Sequence, residues 1–206
     1  MRRFILAPHG DDEVLGCGGT LAKYPDECHV HVVSDKRDGR MDEFKAAQNI
    51  LGYQSYSMTG IPTGQVAANM RSLVTDLDAM MNDFQPEILY IPRPGLHQDH
   101  IAVYEAGLRS ARLGFGKPRF YVPAVLLYDI SAYGDADLFQ TGLTWNYIEA
   151  LTIQQINKKV AAFGAYESQQ TGNVNGHALK DEAYVIGHSH GIDFGERFWA
   201  IRQVIG

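Results

Sequence analysis

Apolar positions along this chain switch repeatedly between a strand-like and a helix-like spacing. "RFILA" (Arg3 to Ala7) is a short unbroken apolar run and reads as a buried strand. A helix is expected from Glu13 to Lys23. Gly16, Gly18 and Gly19 lower its intrinsic propensity and point to a helix start lying close to the sheet or a ligand. "CHVHVVS" (Cys28 to Ser34) sets valines on a pleat as a second strand. After the polar loop "DKRDGR", Phe44, Ala47, Ile50 and Leu51 fall at helical spacing, with Gly52 as a stop. "YQSYSM" reads as a third, edge-like strand, and "NMRSLVTDLDAMMNDF" as an amphipathic helix carrying Met70, Leu73, Val74 and Leu77 on one side. "EILYIP" follows as a buried strand, "RPGLHQDH" as a loop at its end, and "IAVYEAGLRSAR" as a helix. Beyond these, "RFYVPAVLLYDI" is strand-like and "TIQQINKKVAAFGAYESQ" helical. Two short helices are expected around "NGHALKDEAYVIG" and "FGERFWAIRQVI". The Met and aromatic residues of "AMMNDF" and "ERFWAI" read most simply as core.

The first half alternates strand and helix four times. That predicts an α/β, Rossmann-like three-layer sandwich: a mostly parallel sheet with helices on both faces. The length of 206 residues suits a single domain over 1–206, and no repeat, low-complexity tract or linker interrupts it. Such sheets bind ligands beyond the C-terminal ends of their strands. His9 to Asp12 follow the first strand, and His97 to His100 follow "EILYIP", so two polar clusters are expected on one rim.

Composition narrows the class. A hydrophobic fraction of 45% fits a globular chain, and a net charge of -6 without a basic stretch disfavours a nucleic-acid partner. The apolar stretch Phe4 to Pro8 is too short for a signal core, and Val122 to Tyr128 too short to span a bilayer, so a cytoplasmic protein without membrane insertion is expected. Cys17 and Cys28 fit free thiols in a reducing compartment.

The stretch "ILAPHGDDEVLGCGG" places three consecutive acids, Asp11, Asp12 and Glu13, directly after an apolar strand. Adjacent carboxylates there are costly unless something positive neutralises them. Taken singly, a His after a strand is an ordinary polar residue and an Asp pair an ordinary helix cap. H-x-D-D after one strand and H-x-D-H after another together point to a metal. His9, Asp12 and His100 would be two nitrogen ligands and one oxygen ligand, leaving a position for water. A metal there would lower the pKa of bound water from about 15.7 towards about 7. Asp11 would take the water's proton, His97 would face a developing oxyanion or a leaving amine, and Asp99 would orient a histidine.

These residues resemble the PIG-L/LmbE-like zinc-dependent N-acetylglucosaminyl deacetylases. "PHGDDEVLGCGGT" is similar to that family's first motif, "HQDH" to its second, "RMDEFKAAQNILG" to its R-x-x-E…A-x-x-x-L-G helix, and "YESQ" to a Ser-Gln after a late helix. The resemblance implies zinc, or another divalent ion such as Fe2+, on His9, Asp12 and His100. It implies Asp11 as general base and His97 as the electrophilic or acid histidine beside Asp99, with Arg40 contacting substrate. Asp35 and the Ser168-Gln169 pair are further hydrogen-bonding candidates for a small N-acetyl amino sugar or its conjugate. Glu13 carries no assigned chemistry and is read as supporting the helix N-terminus. Gly10 stands where the family usually has proline, which loosens the turn. The oligomeric state, a homo-oligomer included, is left open.

Two other readings compete. His9-x-Asp11 with His100 satisfies a non-haem iron oxygenase triad, with Asp11 rather than Asp12 as ligand, but such triads belong to β-sheet folds rather than this alternation. A nucleotide-binding module is suggested by "GCGG", but three acids before the glycines would repel phosphate. His188 and His190 read as a surface or rim loop, His29 and His31 as half-buried strand residues, and Cys17 as no nucleophile.

Overall fold

A computed structural model describes residues 1–34, 40–113, 120–130, 145–170 and 174–204. The elements are β1 (Arg3–Ala7), α1 (Asp12–Lys23), β2 (Cys28–Val32), α2 (Arg40–Leu51), β3 (Ser55–Met58), α3 (Met70–Phe84), β4 (Ile88–Pro92), α4 (Gln98–Ser110), β5 (Ala124–Tyr128), β6 (Tyr147–Leu151), α5 (Ile153–Gly164), α6 (Gly176–Ser189) and β7 (Phe194–Gln203). The strands form one seven-stranded sheet in the order β3-β2-β1-β4-β5-β7-β6. From β3 to β5 it is parallel, and β7 then runs antiparallel to both β5 and β6.

Each central strand is apolar on both sides, as a sheet covered on both faces requires. In β1, Ile5 and Ala7 join a core with Val14, Leu21, Phe44, Leu51 and Phe163 of α1, α2 and α5. Phe4 and Leu6 join the opposite core, with Leu73, Leu77, Val103 and Ala106 of α3 and α4. The α/β three-layer expectation therefore holds. No helix among the described residues is long and apolar enough to cross a membrane.

Three local expectations change. In "FGERFWAIRQVI", the described part Phe194–Gln203 is not a helix but β7: alternate residues Glu196 and Phe198 are buried, and Phe198 meets the rings of Tyr90 and Tyr147. The expected loop "RPGLHQDH" ends at His97, because α4 begins at Gln98. His188 and His190 are not a loop but end α6. The His188 ring lies tilted against that of Tyr184, and His190 makes a 2.8 Å hydrogen bond to the Ile186 carbonyl.

The glycines of α1 do allow close approach. A Cβ on Gly16 would overlap the ring of Tyr128, whose hydroxyl donates to the Leu6 carbonyl at 2.8 Å. Gly16→Ala should therefore cost about 1–3 kcal/mol, read as a lower thermal midpoint.

His29 and His31 are threaded into hydroxyls of the edge strand and the residue after it. His29 lies between Ser55 and Ser57 at 2.7 and 2.8 Å, and His31 between Ser57 and Thr59 at 2.8 and 2.8 Å. His31 is fully buried rather than half-buried, and burial pushes both imidazoles down to about 4. An unfolded imidazole protonates first, near 6.5, so stability is highest above that pH and is lost as pH falls towards 4. For His31 the loss should be on the order of 3 kcal/mol. Urea midpoints measured between pH 7 and 4.5 should show the fall, and glutamine at both positions should flatten it.

Candidate metal centre

The chain runs from β1 to β2 and β3 on one side, then returns to place β4 on the other side of β1. Their C-terminal ends therefore open a crevice at the point where strand order reverses, the usual ligand position in such sheets. His9 leaves the end of β1. His97 caps α4 just beyond β4, and Asp99 and His100 occupy that helix's first turn.

The centre is the Asp12 carboxylate. One oxygen, Oδ2, lies 3.4 Å from His9 Nδ1 and 3.3 Å from His100 Nε2, and it accepts the His9 backbone N–H at 3.0 Å. All three side chains are buried. Donors held about 2.0–2.1 Å from a tetrahedral ion stand roughly 3.3–3.4 Å apart, so these separations fit a divalent metal between them. Asp99 buttresses the cluster: its Oδ2 lies 3.2 Å from His9 Nε2 and accepts the Gly64 backbone N–H at 2.7 Å. A carboxylate behind a ligating imidazole is the usual way to fix the ring's orientation and raise its basicity.

His97 also comes close. Its ring nitrogens and those of His9 and His100 offer three donor atoms within 4.8 Å of one another, a second way to hold an ion. However, His97 Nδ1 accepts the Asp99 backbone N–H at 3.2 Å. A neutral imidazole that accepts at Nδ1 carries its proton on Nε2, as a donor does.

The three acids have three fates. Burial opposes ionisation of Asp12, but the His100 and His9 imidazoles outweigh it and hold the group well below the usual carboxylate range. For Asp11, burial and the Asp12 charge push the carboxyl well above that range, against the pull of Arg40. Burial raises Glu13 to about 7. Burial also lowers His9, but hydrogen bonds to Asp12 and Asp99 reverse the sign, leaving it raised; His97 is lowered by burial and by its two histidine neighbours.

The turn between His9 and Asp12 is strained at Asp11, with φ 149°, and not at Gly10, which is absent from the positive-φ glycines. Arg40 is buried against this turn. It donates to the Gly10 carbonyl at 2.7 Å and lies 3.4 Å from Asp11 Oδ1. Ser168 binds Glu43 of α2 through its backbone N–H and its hydroxyl, at 2.9 and 2.7 Å, and Gln169 donates to the Ser168 hydroxyl at 2.8 Å. These bonds tie the turn after α5 to α2 rather than to the imidazoles. Asp35 lies outside the described residues. Cys17 is buried, and burial holds its thiol well above the usual range, so it is no thiolate nucleophile.

Glu13 and Tyr166 were not given a place at the site by sequence reasoning. Glu13 is fully buried and does more than support the helix dipole. The signal was available: Glu13, Cys17 and Leu21 form one i, i+4, i+8 stripe on the inner face of α1. Tyr166 opens the "YESQ" stretch, but nothing local there points to its hydroxyl meeting Glu13 at 2.6 Å from 153 positions away.

A family model described as PIG-L, GlcNAc-PI de-N-acetylase, matches residues 4–111, just over half of the chain. No curated protein matches by sequence. Among solved structures, a conserved protein from Thermus thermophilus superposes with a TM-score of 0.80 at 22% identity, covering 100% of this chain and 97% of its own. N,N'-diacetylchitobiose deacetylase from Pyrococcus horikoshii, in complex with an inhibitor, gives 0.76 at 19%, covering 98% and 84%. The zinc-inhibited form of teicoplanin deacetylase gives 0.73 at 16%, covering 100% of both chains.

The geometry predicts one tightly bound divalent ion per chain. In calorimetric titration of the metal-free protein, Asp12→Ala and His100→Ala should weaken binding by at least about 100-fold, while His97→Ala should change it less than about tenfold. Equal losses at Asp12 and His97 would mean that His97 is a ligand too.

Proposed function

This chain belongs to the PIG-L family, and on that premise we propose that it is a metal-dependent hydrolase that removes the N-acetyl group from an amino sugar or a sugar conjugate. The observation that carries this reading is the Asp12 carboxylate held between His9 and His100, with Asp11 beside it on the same turn. Supporting it, two structural neighbours are described as deacetylases, one named for diacetylchitobiose and one for teicoplanin. Asp11 is less suited than Asp12 to be the ligand, because its carboxylate is paired with Arg40. This weighs against the oxygenase arrangement.

His9, Asp12 and His100 would hold the metal, with Asp99 behind His9. Two imidazoles and a carboxylate suit zinc, and Fe2+ is accommodated by the same donors. When bound, the metal would supply Lewis acidity to an amide carbonyl and to water.

Asp11 removes the proton from the water that attacks the carbonyl carbon, from its place beside Asp12 on the same turn. His97 is half-buried at the rim, and its Nε2–H donates to the carbonyl oxygen as negative charge develops there. The carbon–nitrogen bond then breaks. Asp11 or His97 returns a proton to the departing amine, leaving acetate and the free amino sugar. Arg40 steadies the turn that carries Asp11 and borders the substrate. Ser168 and Gln169 offer hydroxyl-matching groups further out.

The test is acetate release from a panel of N-acetylated sugars, glycosides and nucleotide sugars. Activity should vanish on chelation and return with added zinc. Asp11→Asn should lower kcat by about 100-fold or more, the scale of a lost general base, while keeping bound metal. Metal-replete enzyme that releases no acetate yet cleaves an unrelated bond would overturn the reading.

A further inference from the structure

Glu13 takes no part in the chemistry above, yet it is fully buried within one turn of the proposed ligands. Its two carboxylate oxygens point to different partners. Oε2 accepts the backbone N–H of Asp11 at 2.9 Å. Oε1 accepts the hydroxyl of Tyr166 at 2.6 Å, and Tyr166 is itself fully buried in the turn after α5. Asp11 sits at φ 149°, ψ -31°, a conformation that residues with a Cβ rarely adopt. Such a conformation persists only where the surroundings over-determine it.

The surroundings here do so from three sides. The Asp11 carbonyl accepts the N–H groups of Val14 and Leu15 at 3.0 and 2.9 Å. The preceding carbonyl, that of Gly10, is held by Arg40. The remaining backbone group, the Asp11 N–H, is held by Glu13. Relaxing this turn would swing the Asp11 side chain with respect to Asp12, whose own place is set by His9 and His100.

We propose that Glu13 and Tyr166 are positioning residues: Tyr166 orients the Glu13 carboxylate, which in turn holds Asp11 in the strained turn that keeps the base apart from the metal-binding Asp12. The brace acts through hydrogen-bond acceptance. Its effect on turnover rests on the reading of Asp11 as base, whereas the hydrogen bond itself can be measured without any substrate.

Three variants test it: Glu13→Ala, Glu13→Gln and Tyr166→Phe. A glutamine can keep the brace, its amide oxygen accepting from Asp11 N–H and its NH2 donating to the Tyr166 oxygen. Glu13→Ala should lower kcat by about tenfold or more, with KM within about twofold and metal content retained, because a misplaced catalytic group mainly costs turnover. Glu13→Gln should stay within about threefold of the parent, and Tyr166→Phe should fall between the two. In the metal-free protein, the Asp11 amide should exchange slowly in the parent and in Glu13→Gln, and at least about tenfold faster in Glu13→Ala.

The proposal is overturned if Glu13→Ala leaves kcat unchanged or loses metal, if Glu13→Gln is as impaired as Glu13→Ala, or if Asp11 amide exchange is alike in parent and Glu13→Ala. Should Glu13→Ala fail to fold, Tyr166→Phe decides, and parental turnover with parental exchange overturns the brace. A parent that hydrolyses no amide defeats the functional reading, while the exchange measurement still decides the brace.

Discussion

Three carboxyl groups leave the buried end of β1 within a single turn, and the arrangement around them follows from keeping them apart. Each cannot be ionised next to the others without compensation in a poorly solvated place. Asp11 is directed to Arg40, Asp12 to the imidazoles of His9 and His100, and Glu13 to the Asp11 N–H and the Tyr166 hydroxyl. The strained backbone at Asp11 is what lets three neighbours face three ways. A divalent ion between His9, Asp12 and His100 would add positive charge at the centre of this cluster.

The sheet supplies the rigidity. β1 and β4 are buried on both faces and lie side by side at the reversal of strand order, so the turns leaving them cannot drift apart without opening both cores. The close seat of α1 on β5 through Gly16 fixes the helix whose first turn carries Asp12 and Glu13. Further along α1, the buried Glu196 of β7 accepts the N–H groups of Gly19 and Thr20 at 2.6 and 2.7 Å and pairs with Lys159 of α5 at 2.8 Å. Removing either charge of that pair would leave its partner buried and uncompensated, so it locks helix and sheet in one relation.

Much was legible locally. Unbroken apolar runs at β1 and β4, valines on β2 and the helical stripes of α2 and α3 reflect burial patterns that depend only on strand or helix period. Short motifs were equally legible: His9 to Asp12 and His97 to His100 had to fall beyond the strands that precede them, and a parallel sheet puts those ends on one rim. The edge-like character of the third strand was legible as well, and only the structure makes its serines hydrogen-bond partners of His29 and His31.

What the sequence alone could not decide was anything that depends on residues far apart in the chain. β7 reads as a helix because Phe198, Trp199 and Ile201 also suit a helical face, and only antiparallel pairing with β5 and β6 makes the segment a strand. β6 gives no signal beyond "YIEAL", since an edge strand needs little burial of its own. The Asp11 strain, the Arg40 clasp on Gly10 and the Tyr166–Glu13 bond are likewise tertiary. Local sequence determined the periods, the rim and the kinds of donor atoms, because these follow from backbone geometry and residue chemistry. The direction in which each carboxylate points was decided by the fold, because partners up to 153 positions away set it.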